Sequence, residues 1–90
     1  MDHQQQSQFT LDILREELSY NREVEFMLDD ILYFIEPKPP YQNIQQFSVW
    51  EVSSHTRLFL GNLEDLLQYS FPGNRSLAGQ FSSFEILYIY

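Results

Sequence analysis

Apolar residues recur at every second position on both sides of Asp29-Asp30. If the chain folds back there, Leu28 meets Ile31, Phe26 meets Tyr33 and Val24 meets Ile35. The two-residue period of a strand then puts all six side chains on one face. This pattern predicts a hairpin over residues 24–36, around which the rest of the chain is organised. The opposite face would carry Glu23, Glu25, Met27, Leu32, Phe34 and Glu36, a mixture that is neither clean solvent surface nor clean core. A two-residue type I′ turn needs positive φ at both central residues, and Asp-Asp accepts this less readily than Asp-Gly. A longer turn would shift the register and exchange the two faces.

Upstream the period changes to that of a helix over residues 9–20, with Thr10 or Ser7 as N-cap, Asp12 in the first turn and Asn21 as the stop. Leu11, Leu14 and Leu18 form one apolar stripe. Phe9, Ile13 and Tyr20 form a second on nearly the opposite side, so the helix is either sandwiched between elements, the more common case, or offers one stripe to a partner. Residues 1–8 are polar and are expected to be a flexible tail, leaving residues 9–90 as a single domain.

Downstream, the prolines at 37, 39 and 40 predict the end of the second strand, and the polar run 41–46 continues as a loop. Residues 47–52 read as a third strand with Val49 and Trp50 on opposite sides. Residues 56–60 read as a fourth, after a turn at Ser53-Ser54-His55 and before a break at Gly61. Asn62 caps a helix to about residue 70, with Asp65 three positions on and Leu63, Leu66 and Leu67 at helical spacing. After a turn at Pro72-Gly73-Asn74, Ser76 opens a second short helix carrying Leu77, Phe81 and Phe84. Residues 86–90 are almost all apolar, which predicts a strand covered on both faces. The expected fold class is α+β: an antiparallel sheet of four to five strands, with an N-terminal helix and two short later helices packed mainly on one face.

Ninety residues make one small domain, and eight Phe, six Tyr and one Trp supply its core. The absence of cysteine excludes disulfides, thiolate metal sites and cysteine nucleophiles, and suits a reducing cytoplasm. No apolar run approaches the length of a bilayer span, and the first residues are polar, unlike a signal peptide. The net charge is −8, and it is uneven: residues 1–36 hold nine acids and two bases, net −7, against −1 for the remainder. Such a surface repels nucleic acid and anionic membranes and is drawn to basic protein surfaces. Charge of this size also serves solubility alone.

Candidates for reaction chemistry are few. His3 falls in the expected tail and His55 in a turn, and there is no His-Glu-x-x-His, glycine-rich phosphate loop or Gly-x-Ser-x-Gly elbow. Neighbouring acids on a helix, Glu16-Glu17 and Glu64-Asp65, point about 100° apart, and Asp29-Asp30 lacks the further oxygen ligands that calcium requires. These absences argue against an enzyme, and no catalytic residue, cofactor or metal site is indicated. The five bases form no stripe for direct nucleic-acid binding. What stands out is the acidic segment. Asp12, Glu16, Glu17, Glu23, Glu25, Asp29, Asp30 and Glu36 are the candidate partner-binding residues, carboxylates able to stand in for phosphates in a basic groove. Singly, each reads equally well as a solvated side chain.

From Asn21 on, three motifs follow in order: Arg22-Glu23-Val24-Glu25-Phe26 with Tyr33, then Leu63-Glu64-Asp65-Leu66-Leu67, then Ser76-Leu77 with Phe81 and Phe84-Glu85-Ile86. This order resembles a group of small acidic proteins of Gram-positive bacteria and their phages, mostly of unassigned function. The resemblance covers about two-thirds of the chain. Departures are Asp29-Asp30 in place of the usual Asn-Gly-Lys turn and the proline-rich insertion at 37–40. The resemblance implies an α+β fold and a phage or mobile-element setting in the bacterial cytoplasm; it carries over no catalytic residue.

The expected function is therefore a phage-type inhibitor or adaptor. In its sharper form it is an anti-defence protein such as an anti-CRISPR, a DNA mimic covering the basic channel of a nuclease or other nucleic-acid enzyme. The alternative is a structural or regulatory protein that self-associates, as a homodimer, through the mixed hairpin face and the apolar last strand.

Overall fold

In the computed structural model, which describes residues 9–90, the hairpin is formed by β1 (Val24–Leu28) and β2 (Ile31–Tyr41). Its register is Val24–Ile35, Phe26–Tyr33 and Leu28–Ile31, as the period of two requires. Asp29 and Asp30 have φ of 53° and 64°, so both accept the left-handed conformation of a two-residue turn. The tail expected at residues 1–8, with Ser7 as alternative cap and His3, lies outside the described residues.

Strand β2 does not end at the prolines. It continues through them to Tyr41, turns at Gln42-Asn43 (φ 52° and 65°), and returns as β3 (Ile44–Glu51). The loop expected at 41–46 is thus mostly strand. β1 stops pairing at Ile35, so beyond that point β2 has a strand on one side only, and an N–H missing from its open side leaves no ladder bond unmade. The register is irregular only between Lys38 and Tyr41, where two of the prolines fall. After the turn around His55, β4 (Thr56–Leu60) pairs with β3. β5 (Glu85–Ile89) comes back antiparallel to β1 with an irregularity between Glu25 and Phe26. The sheet has the order β4-β3-β2-β1-β5. β5 is therefore an edge strand, and with Tyr88 60% and Tyr90 55% exposed it is not covered on both faces as expected.

Helix α1 (Leu11–Ser19) begins at Thr10, whose hydroxyl accepts from the Ile13 N–H at 3.1 Å, and stops at Asn21 with φ 64°. Leu14 and Leu18 enter the core. The second stripe is not sandwiched: Ile13 and Tyr20 are exposed, while Phe9 rests against the core. The Gln45 amide donates to the carbonyls of Leu18 (3.2 Å) and Ser19 (3.0 Å), fastening the end of α1 to β3. Helix α2 (Leu63–Gln68) has the predicted cap as a reciprocal pair, the Asp65 N–H donating to Asn62 Oδ1 (2.9 Å) and the Asn62 N–H to Asp65 Oδ2 (3.3 Å). The second later helix is absent from residues 76–84 apart from one 3₁₀ turn, Phe81–Ser83. There the Ser76 hydroxyl accepts from the Gly79 N–H and Gln80 Oε1 accepts from the Ser76 N–H, both at 2.9 Å. Side chains close local turns where a helix would have used its backbone.

One core joins these pieces. The inward residues of β1, β2 and β3 meet Leu14 and Leu18 of α1, Leu66 and Leu67 of α2, and Phe71, Leu77 and Phe84 of the last segment. Phe26 is its centre, stacked on Tyr33 (centroids 5.1 Å) and met edge-on by Phe71 and Phe84. Burying such a ring contributes roughly 1.5–3 kcal/mol.

Candidate protein-binding surface

Residues that alternate away from the core form the opposite face of the sheet. The pairings align Glu25 and Met27 of β1 with Phe34 and Leu32 of β2, Phe34 with Trp50 of β3, and Trp50 with Arg57 of β4. Tyr88 joins from β5 opposite Glu25, and Phe59 from β4 opposite Ser48. The outcome is a row of rings across the strands: Trp50 and Tyr90 lie 6.1 and 6.4 Å from Phe34, and Tyr88 lies 6.0 Å from Tyr90. Two cations lie over this row, Arg57 on Trp50 and Lys38 on Phe59, each 5.5 Å from the ring centre. Phe59, Tyr88 and Tyr90 remain 68%, 60% and 55% exposed, so the row is an uncovered aromatic surface. Beneath it Ser48 is fully buried, with no hydrogen-bond partner for its hydroxyl among the described residues.

The eight sequence-predicted acids divide between different parts of the molecule. Glu25 and Glu36 are half-buried on the aromatic face, and Glu23 leads into β1 beside them, its carbonyl accepting from the Tyr90 N–H at 2.8 Å. The Tyr90 hydroxyl donates to Glu25 Oε1 at 2.8 Å; that bond first, then desolvation, then the nearby charges, Glu25 before Glu23, hold its pKa above the usual tyrosine value. Glu36 pairs with Arg57. Asp12 and Glu16 are exposed on α1, whose leucines enter the core from the other side of the sheet, and Glu17 is 3.4 Å from Arg22. Asp29 and Asp30 form the hairpin tip, where Arg75 grips Asp29 with two guanidinium nitrogens and lowers its pKa. The structure gathers Glu23, Glu25 and Glu36 and separates the other five from them.

Sequence reasoning missed Trp50, Arg57 and Phe59 as parts of this surface, and offered the last strand, with Tyr88 and Tyr90, only for self-association. Period-two alternation in the third and fourth strands already put Trp50 opposite Val49. Chaining the hairpins would have placed it beside Phe34, but the prolines hid the connection. Among the described residues no group of three His, Asp or Glu side chains is placed to hold a metal ion, and no helix is long and apolar enough to cross a membrane. Comparison of the chain with protein-family models, with curated proteins and with solved structures found no match.

Proposed function

We propose that the protein is a non-enzymatic binder that inhibits or recruits a partner by occupying a basic surface, using the aromatic face of its sheet. The observation that carries this reading is the meeting of Glu23 and Glu25 with the exposed rings of Tyr88 and Tyr90 at one end of that face. Rings supply contact area at low conformational cost, and carboxylates beside them select a cationic counterpart. The net charge of −8 speeds the approach to such a partner. In its sharper form the partner is a nucleic-acid enzyme of a bacterial host, a defence nuclease included, and the protein acts in the cytoplasm.

The test is binding to such a nuclease over a salt series. Glu23→Gln with Glu25→Gln is expected to weaken binding about tenfold or more and flatten its salt dependence, while Asp12→Asn with Glu16→Gln on α1 changes it little. Affinity indifferent to salt and to the first pair defeats the reading. A second reading, self-association, is supported by β5 standing at the sheet edge with Tyr88 exposed.

A further inference from the structure

On the core side of the sheet, between the β3–β4 strands and the segment that follows α2, lies a cavity of about 200 Å³. Tyr33, Tyr69 and Phe71 line it, Phe71 meeting both tyrosines edge-on at 5.3 and 4.8 Å. Leu58 and Thr56 of β4 complete the wall and are exposed, so the space opens to solvent. Among the described residues its one carboxylate is Glu51. This residue ends β3 opposite Tyr33 and Thr56, which puts it on the core side of the strand, where it is half-buried.

Glu51 has no ion-pair partner among the described residues. The four arginines are engaged by Glu64, Glu17, Glu36 and Asp29, and Lys38 lies over Phe59 on the opposite face. Arg75, whose charge is felt by Tyr33 in the cavity wall, is held by Asp29. Burial first, then the charge of Glu51, pushes the Tyr33 hydroxyl above the usual tyrosine pKa. Tyr33 thus stays neutral beside the carboxylate of Glu51.

The size excludes a drug-sized ligand or cofactor, which needs at least about 300 Å³, and suits one long side chain. Aromatic walls around a lone, partly desolvated carboxylate favour an organic cation, because rings and carboxylate attract it together while an aliphatic stem packs on the same walls.

We propose that this cavity receives the alkylammonium end of a lysine presented by a basic partner protein, with Glu51 meeting its charge. That the lysine belongs to a partner rests on the binding function proposed above, with the partner reaching round the β4 edge of the sheet, where Thr56 and Leu58 open the cavity on the side away from the aromatic face; the affinity of the cavity for an ammonium group does not.

The probe is Nα-acetyl-lysine N-methylamide, titrated into the full chain and followed by NMR. Saturable shifts are expected at Leu58, Tyr33 and Tyr69 with a Kd of about 1–10 mM. The uncharged norleucine analogue, and the lysine probe on Glu51→Gln, should each bind at least about fivefold more weakly. Absence of saturable shifts at those residues, or equal binding of the norleucine analogue to the unaltered protein, overturns the proposal without recourse to any variant. Tetramethylammonium binding as tightly as the blocked lysine would assign the cavity to small free organic cations and overturn the partner's lysine. A cavity that ignores the probe in a protein whose nuclease binding still depends on Glu23 and Glu25 defeats this inference alone. Loss of that dependence defeats the reading beneath it.

Discussion

Asp29 illustrates how little of an acid's role follows from its own identity. In sequence it is one of eight clustered carboxylates; in the fold its charge is met by Arg75, 46 positions away. The turn at Gly73-Asn74 is announced locally, but its delivery of Arg75 to the hairpin tip is a matter of tertiary packing that no local pattern shows. Glu36 with Arg57 and Glu51 beside Tyr33 were equally out of reach, since each depends on strand registers that follow the misread prolines. The pair at Asp29 has a consequence for acid stability. Its folded pKa lies below the ordinary 3.8, so the stabilisation is present above that value and is lost as pH falls through the folded pKa. Asp29→Asn is expected to melt lower than the parent at pH 6. The gap should close as both are taken from about pH 4 to pH 2, and thermal melts across that range check it. A gap unchanged down to pH 2 would mean the ion pair contributes nothing.

At the level of elements, what repeats locally was legible. The β1–β2 register, the Thr10 and Asn62 caps and the span of β4 all follow from periods of two or 3.6 and from capping chemistry, which act within a few residues. What failed depended on neighbours. Prolines end a strand only if both sides need donors, and β2 has lost one neighbour where they occur. Ser76 to Phe84 showed helical spacing, yet its serine, glycine and glutamine closed turns instead, and Leu77 and Phe84 reached the core all the same. The hairpin turn itself gives a prediction. Asp30 sits at φ 64° and is exposed, a conformation that costs an ordinary L-residue roughly 1 kcal/mol and glycine nothing. Asp30→Gly makes the preferred Asp-Gly turn while leaving the Asp29–Arg75 pair in place, and should stabilise the protein by about 0.5–1 kcal/mol in urea unfolding at unchanged m-value. Destabilisation would show that the flexibility gained by the unfolded chain outweighs the strain relieved.

For the whole molecule, the two readings of the aromatic face respond to salt in opposite directions. A copy with net charge −8 approaching another copy meets repulsion, whereas approach to a basic partner meets attraction. Raising ionic strength from about 0.01 M to 0.15 M shortens the Debye length from roughly 30 Å to 8 Å, and the molecule is 45 × 27 × 22 Å, so at the lower value its charge acts as a whole. Added salt must therefore weaken capture of a basic partner and strengthen any self-association. Face-to-face pairing also has its own geometric demand: Phe59 at the β4 edge and Tyr88 on β5 lie at opposite ends of the ring row, and a two-fold contact would have to bury both. Sedimentation velocity at about 10 mM and 500 mM NaCl separates the cases. If the face serves a basic partner, the protein sediments as a monomer at both concentrations. A dimer that strengthens with salt and disappears in Phe59→Ser would instead assign the face to a second copy, and the acids on it to keeping that contact reversible.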